Sequence, residues 1–275
     1  MGVLAIWRYP VKAMLGELLE AVEVGPGGCE GDRRWVVVDV QTGERIANKR
    51  GPTDPRLRSC RAELLDGSDA RLPLQITLPD GTALQGDEIE AALSELLERH
   101  VRLERSRARG DGRLATTGAY HDLAPIHFVT KRTLAHLSAV APECDWDARR
   151  LRPNLLLDDD GPAQGFSEDA LIGATLHAAS GVELLVALPT PRCVVPTRAH
   201  EELRRDPRIL KTIVQRHRID LGPFGRHGCL GAYAEVVHGG RLRRGERLRI
   251  RAGRVDPERA VARALGRLRD LTDRR

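Results

Sequence analysis

The sequence predicts a mainly β fold with helices, an α+β arrangement in two domains. Three observations lead there. The first half is a series of short apolar or alternating runs broken by Gly, Pro and Asp-Gly turns, the punctuation of strands. The second half mixes such runs with a few helical patterns but lacks a regular strand–helix alternation, which favours a β-barrel or mixed sheet over a doubly wound one. The length, 275 residues, lies where one hydrophobic core gives way to two. The divisions expected are a β-rich unit over 1–110, a second unit over 111–254 and a terminal amphipathic helix over 255–275.

In chain order, Val3 to Arg8 is an apolar strand that ends at Pro10. Leu18 to Val24 alternates until Gly25-Pro26-Gly27-Gly28 breaks it. Arg33 to Val40 (RRWVVVDV) is a strong strand followed by a turn at Gly43. Leu57 to Leu65 and Leu72 to Leu78 read as two strands joined at Asp66-Gly67, with a further turn at Asp80-Gly81. Asp87 is placed to cap a helix that carries Ile89, Leu93, Leu96 and Leu97 on one face. The polar stretch Arg105 to Tyr120 reads as a linker or mobile loop. Beyond it, Lys131 to Val140 suits a short helix, and Val182 to Leu188 a buried strand. Asp206-Pro207 opens a helix, with Pro at its first position. Tyr233 to Val237 and Arg247 to Ile250 are strands around Gly239-Gly240. Val261, Leu265, Leu268 and Leu271 space an amphipathic helix after Asp256-Pro257.

Composition narrows the function classes. Hydrophobic residues make up 41% and charged residues 30%, a globular balance that disfavours wholesale disorder. No window approaches the ~18 apolar residues of a spanning helix, and Arg8 and Lys12 interrupt the N-terminus too soon for a secretory signal. A soluble, cytoplasmic protein is expected, without membrane contact. The formal net charge is +5, and only four of the 44 basic residues are lysines. A GC-rich coding bias explains an arginine excess, and so does recognition of anions by guanidinium forks. A nucleic-acid surface fits poorly, because aromatics are only 3% and the basic residues are dispersed.

Five cysteines with wide gaps and no CxxC argue against a disulfide framework, a structural zinc site and an iron–sulfur cluster. The glycines of VEVGPGGCEGDR precede a strand rather than a helix, so they are turn residues and not a dinucleotide fingerprint. Asp158-Asp159-Asp160 lacks the remaining ligands of a calcium loop. His217, His227 and His238 have no metal spacing. Cys193 differs from the other thiols. It follows an apolar strand in LPTPRCVVPT and is flanked by Arg192 and Arg198, and cationic neighbours favour the thiolate that ligates metals or attacks electrophiles. On position alone, a buried structural cysteine fits as well.

Six segments occur in a fixed order: YPVKAM (from Tyr9), CEGDRRW (from Cys29), RLRPN (from Arg150), GFSEDALIG (from Gly165), TPRCVVPT (from Thr190) and GAYAEVVHGGRLRRGE (from Gly231). Together they closely resemble the MOSC family, the domain type found at the C-terminus of molybdenum cofactor sulfurases. The first half resembles the β-barrel-like domain that precedes MOSC in many members. The arrangement is similar to the amidoxime-reducing molybdoenzymes. The resemblance implies a MOSC-type β-barrel after a smaller β-barrel-like domain, and a molybdenum cofactor. It implies Cys193 as the metal ligand, which is also the catalytic position, and Lys12 and Arg33 on the pterin phosphate. It implies Arg152 and Asn154 as cofactor contacts, with Arg192 as a further one. A soft thiolate suits a metal already held by dithiolene sulfurs, and a guanidinium fork suits a phosphate. Ala13 replaces the family's Ser, Leu151 its Phe, and Val194-Val195-Pro196 a more polar run, so the substrate class departs more than the cofactor.

The resemblance implies an oxidoreductase that takes oxygen from an N-hydroxylated base or amidoxime in a two-electron cycle. No flavin, nicotinamide or iron–sulfur signature is visible, so a separate reductase or ferredoxin-like donor is expected, and the basic surface suits an acidic partner. The sulfurase's pyridoxal-phosphate domain finds no room in the 275 residues, so pyridoxal phosphate is not expected on this chain. Two other readings stand beside this one: a cofactor or persulfide carrier, and a basic binding module without metal. His121, Asp122 and His127 are potential proton carriers with no assigned role.

Overall fold

The computed structural model describes residues 1–46, 54–65, 73–106, 120–159, 161, 164–199, 201–253 and 257–272. Most of the predicted linker (107–119), the Asp66-Gly67 turn and Asp160 lie outside them, as do the side chains of Leu268 and Leu271. Among the described residues the fold is mainly β with five α-helices, in agreement with the expected class.

The largest sheet runs in the order Leu248–Arg251, Thr175–Ala178, Glu183–Pro191, Arg226–His238, Ile126–Thr130, Leu155–Asp158, Gly2–Arg8 and Glu17–Leu19, with Arg218–Asp220 paired to Arg226–His238. Its pairs are antiparallel except Ile126–Thr130 with Leu155–Asp158. The ladder is not a closed barrel. Its end strand Leu248–Arg251 approaches Gly2–Arg8, the second strand from the other end, through the isolated bridge Gly2↔Arg247 and neighbouring backbone bonds such as Leu248 N–H to Met1 O at 2.9 Å. The inward faces enclose one core that includes Val3, Ile6, Phe128, Leu155, Leu184 and Ala234. The first strand of the chain thus belongs to the sheet of the second half, and Ala21–Gly25 likewise pairs with Gly240–Arg243.

The remainder of the first half holds a second core, with Trp35, Leu57, Ile76, Ile89 and Leu93 at its centre. Around it lie the antiparallel pair Trp35–Asp39 with Val101–Arg105, and the sheet Arg61–Leu64, Leu74–Thr77 and Ala83–Gln85. These sheets are not closed either.

Several elements depart from the sequence reading. The run from Leu57 is not all strand: Asp54 accepts from Arg56 N–H and Pro55 opens a short helix, Pro55–Ser59, before the strand starts at Arg61. This is the Asp-Pro signature that also precedes Arg208–Arg216, where Asp206 accepts from Arg208 N–H at 3.0 Å. The strand predicted from Arg33 starts at Trp35, because Arg33 has φ 50°. Glu20 divides the predicted Leu18–Val24 strand into two, each serving a different sheet. Asp87 makes no side-chain cap on the helix Glu88–Leu97; Glu88 instead accepts from Gln85 N–H at 3.0 Å.

Phe128 is fully buried on the strand that carries His127. Phe128→Ala is expected to cost about 3–5 kcal/mol of unfolding free energy, read as a lower urea midpoint. An unchanged midpoint would show that this strand does not organise the core.

Candidate functional site

Two irregular loops of the first half meet three elements of the second. The segment after Gly2–Arg8 turns at Pro10 and is laced by backbone bonds to the loop before Trp35. Arg33 N–H donates to Tyr9 O at 2.7 Å, Trp35 N–H to Pro10 O at 3.1 Å, and Lys12 N–H to Trp35 O at 2.8 Å. Across from them, Asn154 N–H donates to His127 O, and Trp7 N–H to Asn154 O. The third contribution follows Glu183–Pro191, where the strand gives way to Arg192, Cys193 and a short 3-10 turn over Val195–Thr197.

One cleft results, with about 740 Å³ of open space out to its mouth. All six residues expected at the site line it: Lys12, Arg33, Arg152, Asn154, Arg192 and Cys193. Of the five cysteines, Cys193 alone is half-buried; the other four are buried. Its Sγ accepts from Val195 N–H at 3.5 Å, and Val194 beside it is exposed. Burial pushes the Cys60 and Cys229 thiols up to about 12, so they are inert packing.

The cations are anchored by a single fully buried carboxylate. Asp32 accepts from Tyr9 N–H at 2.7 Å and from the Arg33 guanidinium, and Asn154 donates to it as well. Burial works to raise the Asp32 pKa, but Arg33, His121 and these donors together hold it below the usual carboxylate range. Arg33 and Arg152 lie against the Tyr9 ring at 4.8 and 4.3 Å, a desolvated cation–π pairing. Arg33 also donates to Arg152 O at 3.1 Å, and Arg152 to Met14 O at 2.5 Å. Burial, followed by the like charge of Arg33, lowers Arg152 to about 10, so it stays charged at neutral pH. Lys12 donates to Tyr120 O at 2.9 Å and lies 3.6 Å from Asp122. Arg192 donates to Leu151 O at 2.8 Å and faces His127 Nε2 at 3.3 Å.

Asn154 does not offer its amide to the cleft. Its oxygen accepts from His127 N–H at 3.1 Å, and its nitrogen serves Trp7 O and Asp32, so it holds the wall together. Sequence reasoning gave no role to Asp32 or Tyr9, although both sit inside the recognised motifs. An acid directly before the Arg33-Arg34 pair was the available signal for Asp32. His121, Asp122, His127 and Tyr233 also line the cleft with Cys193.

Ala13, Arg33 and Arg152 have φ of 77°, 50° and 52°. Left-handed backbone at residues other than glycine costs of order 1–3 kcal/mol each and collects where the surrounding structure imposes it. Here it turns the YPVKA loop and both arginines toward the cleft.

Burial, aided by Arg33 and Lys12 and opposed by Asp32, brings His121 down to about 4; burial and Arg192 carry His127 well below its ordinary value. Both rings are therefore neutral in the fold at pH 7. The unfolded chain takes up protons below about pH 6.5 that the fold refuses, so stability falls as pH drops from about 6.5 toward 4. His121→Gln should flatten that slope by up to one proton, about 1.4 kcal/mol per pH unit. Urea unfolding at pH 5 and 7 measures it, and a slope as steep as that of the wild type would remove His121 from the buried network.

A model of the MOSC domain matches residues 115–249, and one of the MOSC N-terminal beta barrel domain matches residues 1–112. No curated protein matches the chain. Among solved structures, YiiM from Geobacillus stearothermophilus is 17% identical, with 46% of this chain and 54% of YiiM covered and a TM-score of 0.34. The YUAD protein from Bacillus subtilis is 11% identical, with 90% and 94% covered and a TM-score of 0.47. The two sequence matches together span nearly the whole chain: it belongs to the MOSC family, whose domains are associated with the molybdenum cofactor, and carries the family's N-terminal β-barrel domain ahead of its MOSC domain.

Proposed function

We propose that this protein is a molybdenum-cofactor oxidoreductase that reduces N-hydroxylated or N-oxide-type substrates with electrons from a separate donor protein. The observation that carries the reading is the pairing, in one cleft, of the half-buried thiol with a cluster of cations. Among the described residues, Arg33, Arg152 and Arg192 have the carboxylates of Asp32 and Asp122 near them, and Lys12 lies 3.6 Å from Asp122. Three half-buried guanidiniums beside two carboxylates favour a bound anion such as a phosphate.

The residues present fit the cofactor. Arg192 Nε and His121 Nε2 are buried with no hydrogen-bond partner, a donor and a ring nitrogen left for a ligand. Lys12, Arg33 and Arg152 would hold the phosphate, and Cys193 would be the protein's thiolate ligand. When bound, the group supplies two-electron chemistry and accepts the oxygen of the substrate. Reduction of an N–OH bond also consumes two protons and releases water. Asp122 is exposed enough to exchange protons with solvent, and neutral His121 presents an unpartnered nitrogen. Tyr233 and Leu151 are buried walls of the cleft that the thiol also lines.

The electrons are assigned to a separate donor protein. An acidic donor docking on the +5 chain would transfer electrons at a rate that falls as salt rises. Pyridoxal phosphate and nucleic acid have no part in the proposal.

Donor-dependent reduction of benzamidoxime by cofactor-loaded protein is the test. Cys193→Ser should abolish turnover, whereas Cys29→Ser, Cys60→Ser and Cys144→Ser should retain most of it. Full activity in Cys193→Ser overturns the ligand assignment. Molybdenum bound without any turnover points to a carrier of cofactor or persulfide instead. Lys12→Ala should lower the molybdenum retained per chain while leaving the unfolding midpoint nearly unchanged, since Lys12 is partly exposed and its cleft ion pair is long.

A further inference from the structure

His127 is buried and lines the cleft. Its backbone is clamped on both sides by one residue: His127 N–H donates to Asn154 Oδ1 at 3.1 Å, and His127 O accepts from Asn154 N–H at 2.7 Å. The ring therefore enters the cleft at a fixed place, 5.6 Å from the Tyr233 ring between centres. Gly231 makes the space for it, since a Cβ there would lie 2.7 Å from His127 Nε2 and 2.6 Å from Phe128 O. Nε2 faces Arg192 Nη1 at 3.3 Å. A guanidinium can only donate, so Nε2 is the acceptor and the ring proton sits on Nδ1. Burial, then Arg192, keeps the ring in the uncharged form that this contact needs. The ring also meets the carbonyls of Arg152 and Leu230, and the Arg152 carbonyl accepts from Arg33 at 3.1 Å. His127 thus stands between the arginines anchored by Asp32 and the arginine next to the thiol.

Arg192 is held at three points. Its backbone N–H donates to Gly228 O at 2.8 Å, Nη2 donates to Leu151 O at 2.8 Å, and Nη1 donates to His127. Its Nε is buried and has no acceptor. A buried donor on a charged group is costly to leave unpaired, and a long side chain with many rotamers would turn to pair it unless other contacts fixed it. The two Nη contacts do so. We propose that His127 is a positioning residue: by accepting from Nη1 it fixes the Arg192 guanidinium beside Cys193, so that Nε–H is kept for the molecule bound in the cleft. This deepens the oxidoreductase reading and rests on it for its kinetic consequence; the contact itself does not depend on that reading.

Nitrogen–proton correlation spectra of the arginine side chains in the full apo chain test the contact. One Nε–H resonance, absent in Arg192→Met, should exchange slowly with solvent. His127→Phe keeps the ring's bulk without an acceptor and should return that resonance to the fast exchange of exposed arginines. His127→Gln, which can place an acceptor where Nε2 stands, should restore it, a rescue that a general loss of packing does not give. The reciprocal measurement leaves His127 unchanged: in Arg192→Met the imidazole Nε2 resonance should move to that of a lone pair without a donor, a result that stands even if the Phe variant does not fold. In cofactor-loaded protein, His127→Phe should lower kcat/KM for benzamidoxime about 10- to 100-fold. His127→Phe/Arg192→Met should be no slower than Arg192→Met alone, because His127 acts through Arg192. Slow exchange of the Arg192 Nε–H in the Phe variant, an unmoved imidazole resonance in Arg192→Met, or losses that multiply in the double variant would overturn the proposal. Intact spectral coupling in a protein that reduces no substrate would overturn the oxidoreductase reading alone.

Discussion

The cleft depends on one buried carboxylate. Asp32 is fully enclosed and close to four groups at once: the Tyr9 amide, the Arg33 guanidinium, the Asn154 amide and the His121 ring. Each would be unsatisfied or repelled in its absence, and removal of one partner from a buried ion pair costs more than the pair contributes. Asp32 therefore sets where Arg33 points. Through Tyr9 and the Arg152 carbonyl it also sets where the second arginine lies. Asp32 and Asp122 both act on Arg33 and Arg152, while Arg192 is a third guanidinium lining the same cleft.

The positions of those cations require the two halves of the chain to fold as one body. Gly2–Arg8 is a strand of the second half's sheet; its Trp7 bonds to Asn154, and the YPVKA loop that follows lines the same cleft through Lys12 and Ala13. Had this strand stayed in its own domain, the YPVKA loop would have to cross an interface to reach Arg152. The open ladder fits this arrangement. Register shifts at Val186/Leu188 and Pro189/Pro191 break regular pairing in the strand that leads to Cys193, and such irregularity commonly re-aims a side chain next to a functional site.

Much of this was legible in the sequence, and the reasons for the rest are local. Strong apolar runs such as Val36–Val38 announce themselves because burial on both faces leaves no polar residue in them. The six site residues were legible only as motifs in order, since each alone is an ordinary surface or turn residue. The helix at Pro55 was missed because Leu57 and the following apolar residues fit a strand period, and the Asp-Pro start outweighs that over five residues. Partner choice was not legible at all. Nothing in CEGDRRW says that Arg33 is left-handed, and nothing in RLRPN says that Asn154 spends its amide on Trp7 and His127. Those outcomes are set by contacts distant in sequence.

The arginine excess can now be divided between its two explanations. Arg149 is bound by Asp147, Glu201 and Glu202, and Arg56 by Asp54 and Glu98; such pairs are what a composition bias leaves at a surface, balanced and nearly neutral in energy. At the cleft and in a narrow recess behind it the guanidiniums are less fully hydrogen-bonded. Arg192 Nε, Arg58 Nε and Arg198 Nη1 are buried donors without acceptors, and Arg152 keeps its charge although burial and Arg33 both oppose it. A coding bias fills positions with arginine, but it does not bury them unpaired. The guanidiniums of Arg33, Arg152 and Arg192 line one cleft with the half-buried thiol, which is where the proposed anion and soft-metal roles would meet.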